Sequence, residues 1–427
     1  MATTRLPTVL RALTYRNFRL FFGGQLLSLT GTWMQNVAQA WLVYSMTGSS
    51  LMLGTVGFAS NIPVFLLAPI GGAVADRHNR HHIVVATQTS AMLLALVLAG
   101  LTLSGHVQVW HVVVLAMLLG TVNAFDIPAR QSFFIEMVGK KDLVNAIALN
   151  SSMFNAARVI GPAVAGILVA SIGEGWCFFV NGVSYLAVIA GLLLMRLPPP
   201  GLPRARGSAL TELTEGVRFV RGAAPIRDLL IMLGLVSLLG TPYSVLMPIF
   251  ADGIFHSGPR GLGLLMGATG IGAILGALSV AARTGVKGLA AMTGRACAGF
   301  GACLAVFALS HWFWLSLVML IPAGFAMMTQ MACSNTLIQT MVPDHLRGRV
   351  MALYSVMFMG MAPFGSFLSG ALAEKIGAPA TVAIGALGCV GAALVYELRL
   401  PAFRRRTREL VRAQGMTVGP PPDAPPL

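Results

Sequence analysis

The stretch Ala148-Leu149-x-Ser151-x-Met153-Phe154 returns 204 positions later as Ala352-Leu353-x-Ser355-x-Met357-Phe358. Around it, twelve of the 37 residues from 137 to 173 are identical to their counterparts, without a gap. Low-complexity sequence gives some identities by chance, but an unbroken register over this length is hard to obtain that way. The match therefore predicts that the chain consists of two related halves.

The composition excludes most soluble proteins. Of the 427 residues, 56% are hydrophobic and 10% are charged, whereas about 25% are charged in an ordinary soluble domain. The net charge is +15, but a nucleic-acid-binding protein would combine a basic surface with a normal composition elsewhere. Apolar runs of about 18 residues or more recur along the chain, and they are typical of transmembrane helices rather than of an outer-membrane barrel.

These runs predict twelve membrane-spanning helices, with boundaries near 18–44, 51–74, 83–104, 108–129, 146–171, 176–196, 227–250, 261–282, 290–310, 313–337, 351–374 and 379–399. On this map, 26 of the 29 Lys and Arg residues fall on one side of the membrane. Arg260 and Lys375 fall on the other side, and Arg158 lies within a span. Because basic loops face the cytoplasm, both chain ends are expected there, in a bacterial inner membrane.

The repeat and the spans together predict an all-α polytopic fold of two pseudo-symmetric six-helix bundles, a plan typical of secondary transporters. Residues 1–196 form the N-terminal bundle and residues 227–400 the C-terminal bundle. The linker, 197–226, has an amphipathic pattern from Ser208, which indicates a short helix lying flat on the membrane; a plain tether is the alternative. Residues 401–427 form a basic, Pro-rich tail suited to anionic headgroups, with a disordered end.

Gly72-Ala73-Val74-Ala75-Asp76-Arg77-His78-Asn79-Arg80-His81 follows the second span. It resembles the loop signature of the major facilitator superfamily, G-x-x-x-D-R-x-G-R-[RK], in position and spacing. Asn79 replaces a glycine, and because asparagine tolerates the left-handed backbone conformation, the turn is expected to survive. His81 replaces the last basic residue. The resemblance implies a twelve-helix transporter that needs no cofactor.

Arg158-Val159-Ile160-Gly161-Pro162-Ala163-Val164-Ala165-Gly166 in the fifth span is similar to the antiporter motif of the same superfamily, G-x-x-x-G-P-x-x-G-G. Small residues permit close packing, and Pro162 is expected to bend the helix. Within the superfamily this motif marks exporters. The stretches Asp126-Ile127-Pro128-Ala129-Arg130-Gln131, Val342-Pro343-Asp344 and Trp41-Leu42-Val43-Tyr44 look like the branch of enterobactin exporters and macrolide-efflux proteins.

The resemblance implies a gate made of charged residues. Asp76 would lie at the start of the eleventh span, against the positive end of that helix, and Arg80 would pair with Asp126. These contacts would clamp the halves together in the outward-open state and break in the inward-open state. Asp126 could instead carry a proton, and the charges could also serve topology alone. The gating candidates are Gly72, Asp76, Arg77, Arg80, Asp126 and Arg130.

Arg158 is the deepest cation of the chain. An unpaired cation is costly at this depth, so it must face a partner or a wet cavity. It could attract an anionic group of a substrate or hold neighbouring polar groups. Amide and phenol groups within the spans pose the same choice between a solvated cavity and interhelical hydrogen bonds. The cavity candidates are Gln35, Asn36, Gln39, Asn61, Asn123, Asn150, Asn155, Arg158, Tyr243, Gln330, Asn335 and Tyr354; the antiporter-motif candidates are Arg158, Gly161, Pro162 and Gly166.

The seventh span and the cysteines show two further patterns. Gly240-Thr241-Pro242 in the seventh span is typical of a helix that flexes. The five cysteines contain no C-x-x-C pair, so neither a zinc site nor a disulfide framework is indicated.

The resulting expectation is a secondary active efflux transporter that works by alternating access. It would export a small amphipathic molecule, such as a siderophore, an antibiotic or another metabolite, by proton antiport, as a monomer among membrane lipids. A lysophospholipid flippase is the alternative, because a related branch moves lipids. A membrane enzyme would need a cluster of His, Asp, Glu or Ser at one interface, and the eight histidines are scattered. Neither an enzyme, a metal site nor a nucleic-acid partner is therefore expected.

Overall fold

The computed structural model describes residues 8–197, 209–283 and 285–413, and long helices account for nearly all of this part of the chain. The N-terminal half begins with a short 3-10 helix and continues with five helices: Thr8–Thr14, then α1 (Arg16–Thr47), α2 (Ser50–Arg77), α3 (Arg80–Leu103), α4 (Val109–Ile172) and α5 (Glu174–Leu193). The linker contributes α6 (Ala209–Gly222). The C-terminal half follows with six helices: α7 (Ala224–Ile254), α8 (Gly258–Ala281), α9 (Leu289–Leu309), α10 (Phe313–Met341), α11 (Asp344–Ile376) and α12 (Ala378–Ala413).

The described helices supply twelve spans. Ten of the described helices are long and apolar enough to cross a membrane. One of the ten, α4, holds two spans, because its 64 residues would extend for ~96 Å, whereas the hydrocarbon core is ~30 Å thick. α1, with 32 residues, is long enough for the twelfth. The predicted all-α fold of two six-helix bundles is confirmed.

The two spans of α4 are separated by a break at Gly139, where φ is 70° and ψ is 176°. Glycine adopts such backbone angles without steric cost. The sequence predicted a loop from residue 130 to 145, but both arms of α4 remain helical through this region. The physical reason is burial: Phe133 and Phe134 pack with Phe18 and Phe21 in one apolar cluster, which the extended helix makes possible.

α12 is also longer than its predicted span. It continues through Pro401 to Ala413, so the first part of the segment predicted as a tail is helical. The predictions for residues 198–208 of the linker and for residues 414–427 of the tail fall outside the described residues.

α6 lies in the linker where an amphipathic helix was predicted. Gly216 and Val220 are buried, and a Cβ built on Gly216 would lie 3.1 Å from the carbonyl oxygen of Arg349. The carboxylate of Glu215 forms a salt bridge with the Arg349 guanidinium. These contacts attach α6 to the first turns of α11 and favour the helix over a plain tether.

The two sides of the molecule are named here by their loops. The basic side is where α2 ends and α3 begins, at residues 77–80; the opposite side is where α1 ends and α2 begins, at residues 48–49. In the N-terminal half, α4 and α5 pack against α1 and α3, and α2 packs on α4. In the C-terminal half, α8 and α9 pack on α10, and α12 packs on α7 and α9. The halves meet along α2 with α11 and along α4 with α8.

Candidate transport site and gate

The backbones of the two halves touch where α2 crosses α11. A Cβ added to Gly54 would lie 2.6 Å from the carbonyl oxygen of Ser366 and 2.9 Å from Cα of Gly370. A side chain does not fit at these separations, and small residues are what allow helices to approach so closely in a membrane. Beside the crossing, the rings of Phe58 and Phe364 lie edge to face, with centroids 6.1 Å apart.

α4 crosses α8 in the same way. A Cβ added to Gly166 would lie 2.9 Å from the carbonyl oxygen of Pro259 and 3.1 Å from Cα of Gly263. Gly166 and Gly370 are equivalent residues of the sequence repeat. The repeat therefore builds two matching contacts between the halves.

Gly161 of the antiporter motif packs α4 against α1. A Cβ added to Gly161 would lie 2.9 Å from the carbonyl oxygen of Thr30. α4 keeps helical backbone angles through Pro162, and Gly139 is its one non-helical residue. Pro162 therefore does not interrupt the helix. The motif places one face of α4 on α1 and another on α8.

A carboxylate joins the halves on the opposite side. Glu374 Oε2 accepts hydrogen bonds from the hydroxyls of Ser49 and Ser50, at 3.0 and 2.8 Å, and from the backbone N–H of Leu51, at 3.1 Å. Glu374 lies at the end of α11, and the three donors lie at the start of α2. A helix N-terminus carries partial positive charge, which a carboxylate complements. These bonds and the glycine crossings close the opposite side.

The contacts between α2 and α11 end partway toward the basic side. Phe65 still contacts Phe364, with ring centroids 5.9 Å apart. Beyond it, Leu66 and Ile70 are 61% and 53% exposed. Within the described residues, nothing lies within 4 Å of a Cβ built on Gly72. The halves therefore part toward the basic side, and the space between them opens there.

The loop at the basic end of α2 is held by Arg80. Its Nη1 donates to Glu136 Oε1 at 2.7 Å and its Nε donates to the carbonyl of Ala75 at 3.2 Å; Nη2 lies 3.8 Å from the Asp76 carboxylate. The predicted pairing of Arg80 with Asp126 does not occur. Because α4 stays helical beyond residue 129, it carries Glu136 to the loop, whereas Asp126 lies ~15 Å farther back along the helix.

Asn79 has a different role from the one predicted. Its backbone is extended, with φ −65° and ψ 112°, and not left-handed. Its Oδ1 accepts hydrogen bonds from the backbone N–H groups of His81 and His82, at 3.0 and 3.4 Å. Asparagine is favoured at the N-cap for this reason. The side chain of His81 reaches the carbonyl oxygen of Leu192, with Nε2 at 2.9 Å, and ties the loop to α5.

Asp126 is buried within the N-terminal half. Its Oδ1 accepts from the Thr87 hydroxyl at 2.8 Å and from the Gln88 amide at 3.0 Å. Its Oδ2 lies 3.1 Å from Nε of Arg130. The gating candidates thus form two groups: Asp126 and Arg130 hold α3 to α4, whereas Gly72, Asp76, Arg80 and the exposed Arg77 belong to the loop at the basic end of α2.

Arg158 lies deep in the membrane-spanning part of α4, where the halves meet. Its guanidinium carbon is 5.9 Å from the ring centroid of Trp33 in α1, and its carbonyl oxygen would be 3.1 Å from a Cβ on Gly270 in α8. Within the described residues it has neither a hydrogen bond nor a carboxylate within 4 Å. Stacking on an aromatic face leaves the N–H groups of a guanidinium available. The N–H donors of this guanidinium are therefore not taken up by any described residue.

The remaining cavity candidates differ in environment. Asn36 and Asn61 are exposed, and four others are half-buried: Gln39, Asn123, Asn150 and Asn155. Four form hydrogen bonds inside one half: Gln35 with Asn181, Gln330 with Ser334, Asn335 with Gln339, and Tyr354 with the Met331 carbonyl. Tyr243 is buried against Phe300 and Phe307. Of these last five candidates, Gln35, Gln330, Tyr243 and Tyr354 are buried, whereas Asn335 is half-buried.

α7 changes its winding at the predicted weak point. Val236–Gly240 is a π-helical turn, and Thr241–Ser244 is a 3-10 turn. A Cβ on Gly240 would lie 2.6 Å from the ring of Phe300. Turns of this kind inside an α-helix are frequent at functional sites. The predicted break in the seventh span is confirmed.

Sequence reasoning assigned no role to Asp142. Its Oδ1 lies 2.7 Å from Nε of Arg11, and its Oδ2 accepts from the Tyr15 hydroxyl at 2.7 Å. This hydrogen bond raises the pKa of Tyr15. The contacts tie the start of the chain to the turn at Gly139. Tyr15 and Asp142 are 127 positions apart, and no local sequence pattern predicts such a pair. The contacts of Glu136 with Arg80 and of Glu374 with Ser49 were missed for the same reason.

Known proteins resemble this chain over most of its length. The profile of the transmembrane secretion effector family matches residues 8–416. The staphyloferrin A transporter of Staphylococcus aureus is 24% identical over 379 residues, which are 88% of this chain and 95% of the relative. The multidrug efflux pump Tap of Mycolicibacterium fortuitum is 30% identical over 357 residues, 81% and 86% of the two chains. The enterobactin exporter EntS of Citrobacter koseri is 24% identical over 393 residues, 92% and 94% of the two chains.

Solved structures show the same fold. The nucleoside transporter NupG superposes with a TM-score of 0.69 at 14% identity, over 90% of this chain and 98% of that one. These findings confirm the predicted superfamily and a membrane transporter rather than an enzyme. The chain is an efflux transporter of the major facilitator superfamily and belongs to its transmembrane secretion effector family.

Proposed function

We propose that this efflux transporter exports a small amphipathic molecule by alternating access, in exchange for protons. The basic side is then the cytoplasmic side of a bacterial inner membrane and carries both chain ends, because basic loops face the cytoplasm. The space between the halves opens on that side, where an exporter takes up its substrate. The moving bodies are the bundles of residues 1–196 and 227–400, and a single chain suffices for transport.

One observation supports the substrate class: Arg158 has no carboxylate partner among the described residues and makes a cation–π contact with Trp33 where the halves meet. A guanidinium recognises carboxylate and phosphate groups, and Trp33 offers an apolar face. Asn155 and Asn36 lie three residues from Arg158 and Trp33, hence on the same faces of their helices. A molecule with an anionic group on an apolar or aromatic body fits this arrangement.

Substitution of Arg158 tests this proposal. Arg158→Gln should lower export of an anionic substrate at least tenfold, because the anion loses its charged partner in the membrane interior. Arg158→Lys should retain part of the activity, since the charge remains and the guanidinium fork that can bind an anion through two N–H groups is lost. Export is measured from vesicles, with Arg221→Gln on the exposed surface of α6 as the control. Wild-type export of all substrates by both variants would exclude a binding role.

We propose that the loop at the basic end of α2 acts as the gate on that side. In the open state Arg80 holds the loop to Glu136 and to the Ala75 carbonyl, as described above. When the basic side closes, Asp76 moves to the first turn of α11, where the helix N-terminus favours a carboxylate. Asp126 and Arg130 keep their bonds within the N-terminal half and form the fixed base of the gate.

Purified protein in vesicles tests export and its coupling. A siderophore and a macrolide are supplied on the basic side, with and without a pH gradient. Faster accumulation when the receiving side is acidic, and loss of this effect with a protonophore, would support proton antiport. An export rate that does not change with the pH gradient would rule out proton coupling, and absence of transport would overturn the proposal. If the same vesicles moved lysophosphatidylethanolamine but neither soluble compound, the protein would be a lysophospholipid flippase.

A further inference from the structure

A second cavity lies outside the space between the halves. It is a groove of about 540 Å³ in the C-terminal half, between α9 and α10, and Arg283 after α8 closes one end. Met292, Cys303, Pro322 and Phe325 give it mainly apolar walls. No residue of the described N-terminal half lines it, and α9 packs on α10 and α12, away from the helices that join the halves. The groove therefore faces the surrounding lipid.

Two arginines stand at the basic end of this groove. Arg283 and Arg295 line it, and both side chains are exposed. Within the described part of the chain, neither has a carboxylate within 4 Å or a hydrogen bond. Arg295 is six residues inside α9, which places it ~9 Å from the helix end. A cation at this depth on a lipid-facing surface is costly unless an anion meets it.

A hydroxyl in the wall of the groove also lacks a partner. Thr329 in α10 belongs to its wall and is 1% exposed. Its Oγ1 is buried without a hydrogen bond, whereas Thr293 and Thr336 bond the carbonyl four residues earlier in their helices. An unsatisfied buried hydroxyl costs free energy, so a ligand acceptor at this point would be stabilising. Thr329 is 16 residues, ~24 Å, from the start of α10 at Phe313, and Arg295 is 14 residues, ~21 Å, from the adjacent end of α9 at Leu309, so the two residues lie at similar depth.

We propose that this groove binds one anionic phospholipid from the leaflet on the basic side. The phosphate meets Arg283 and Arg295, near the N-terminus of α9, whose dipole also favours an anion. An ester carbonyl of the lipid accepts a hydrogen bond from the Thr329 hydroxyl. The acyl chain lies along Pro322 and Phe325. The polar residues Arg283, Arg295 and Thr329 lie in the part of the groove nearer the basic side, and Pro322 and Phe325 lie farther toward the opposite side. This is the order of headgroup region and hydrocarbon in a phospholipid.

Lipid retention by the purified full-length protein tests this site. The wild type is exchanged into micelles with equal amounts of dioleoylphosphatidylglycerol and dioleoylphosphatidylcholine, and bound lipid is counted by native mass spectrometry. We expect one tightly held phosphatidylglycerol. The double variant R283Q/R295Q should hold it at least fivefold more weakly. The matched control K287Q/R221Q removes two basic-side charges that do not line the groove and should bind as the wild type does.

Three outcomes would overturn the proposal: equal retention by R283Q/R295Q and the wild type, equal loss in the control, or equal retention of the two lipids. A second variant separates the hydroxyl from the charges: Thr329→Val should weaken binding without changing the net charge, and unchanged binding would refute the ester contact. Inorganic phosphate supplied alone tests a free anion as the occupant. Displacement of the lipid by millimolar phosphate would assign the site to a soluble anion instead.

Discussion

A leucine at Gly54 should reduce export at least tenfold. A Cβ there would already lie 2.6 Å from the Ser366 carbonyl oxygen and 2.9 Å from Cα of Gly370. Both neighbours are backbone atoms, which cannot rotate away as a side chain can. The leucine would therefore push the two halves apart on the opposite side. That side must be closed while the protein takes up substrate from the basic side, so this state would be destabilised. Gly263→Leu should act in the same way at the matching contact between α8 and Gly166.

Export is measured in vesicles, and a cysteine placed at Asn36 reports the conformation. A membrane-impermeant maleimide added on the opposite side should label this cysteine faster in Gly54→Leu than in the parent. Gly100→Leu is the matched control, because Gly100 lies in α3 and nothing among the described residues lies within 4 Å of an added Cβ. Thermal unfolding of the purified variants separates a misfolded protein from a displaced equilibrium. Normal export by a folded Gly54→Leu protein would contradict the role given to the crossings.

Asp76→Asn should reduce export about tenfold while leaving expression and melting temperature unchanged. The proposed closed state brings this carboxylate to the N-terminus of α11, an interaction that a neutral amide loses. In the structure Asp76 is about 30% exposed and its carboxylate lies 3.8 Å from the Arg80 guanidinium. The substitution keeps the size of the side chain and therefore tests its charge.

The control for this variant is His78→Gln, an exposed residue of the same loop. Labelling of the cysteine at Asn36 from the basic side should be faster in Asp76→Asn than in the parent. Unchanged export and labelling would mean that the charges of this loop serve topology alone. A loss of export without a change in labelling would place the defect in a step other than closure.

The fold was predictable because it rests on local patterns. Apolar runs long enough to span a bilayer and the repeat around Ala148 and Ala352 are visible in the sequence itself. The helical extension between the spans of α4 was not, because it depends on contacts of Phe133 and Phe134 with α1. The basic residues nearby, including Lys140 and Lys141, are typical of a cytoplasmic loop and led to that prediction.

The site was predictable in part. Arg158 stood out because a charge within an apolar run is rare whatever its surroundings. The role of Gln35 stayed open because an amide that bonds a neighbouring helix looks the same in sequence as one that faces a cavity; in the structure it accepts a hydrogen bond from Asn181. Glu374 received no partner because Ser49 and Ser50 lie more than 300 positions away.

The glycine crossings between the two halves also affect how such a protein can evolve. At Gly54, Gly166, Gly263 and Gly370 almost any mutation enlarges the residue, so these positions have little freedom to drift. Exposed polar positions such as Asn36 and Asn61 carry no such restriction. Under the proposed mechanism, the residues that join the two halves are therefore different from the residues that contact the cargo. A lineage can acquire a new cargo without rebuilding its mechanism, as befits a fold shared by relatives named for staphyloferrin A, enterobactin and multiple drugs.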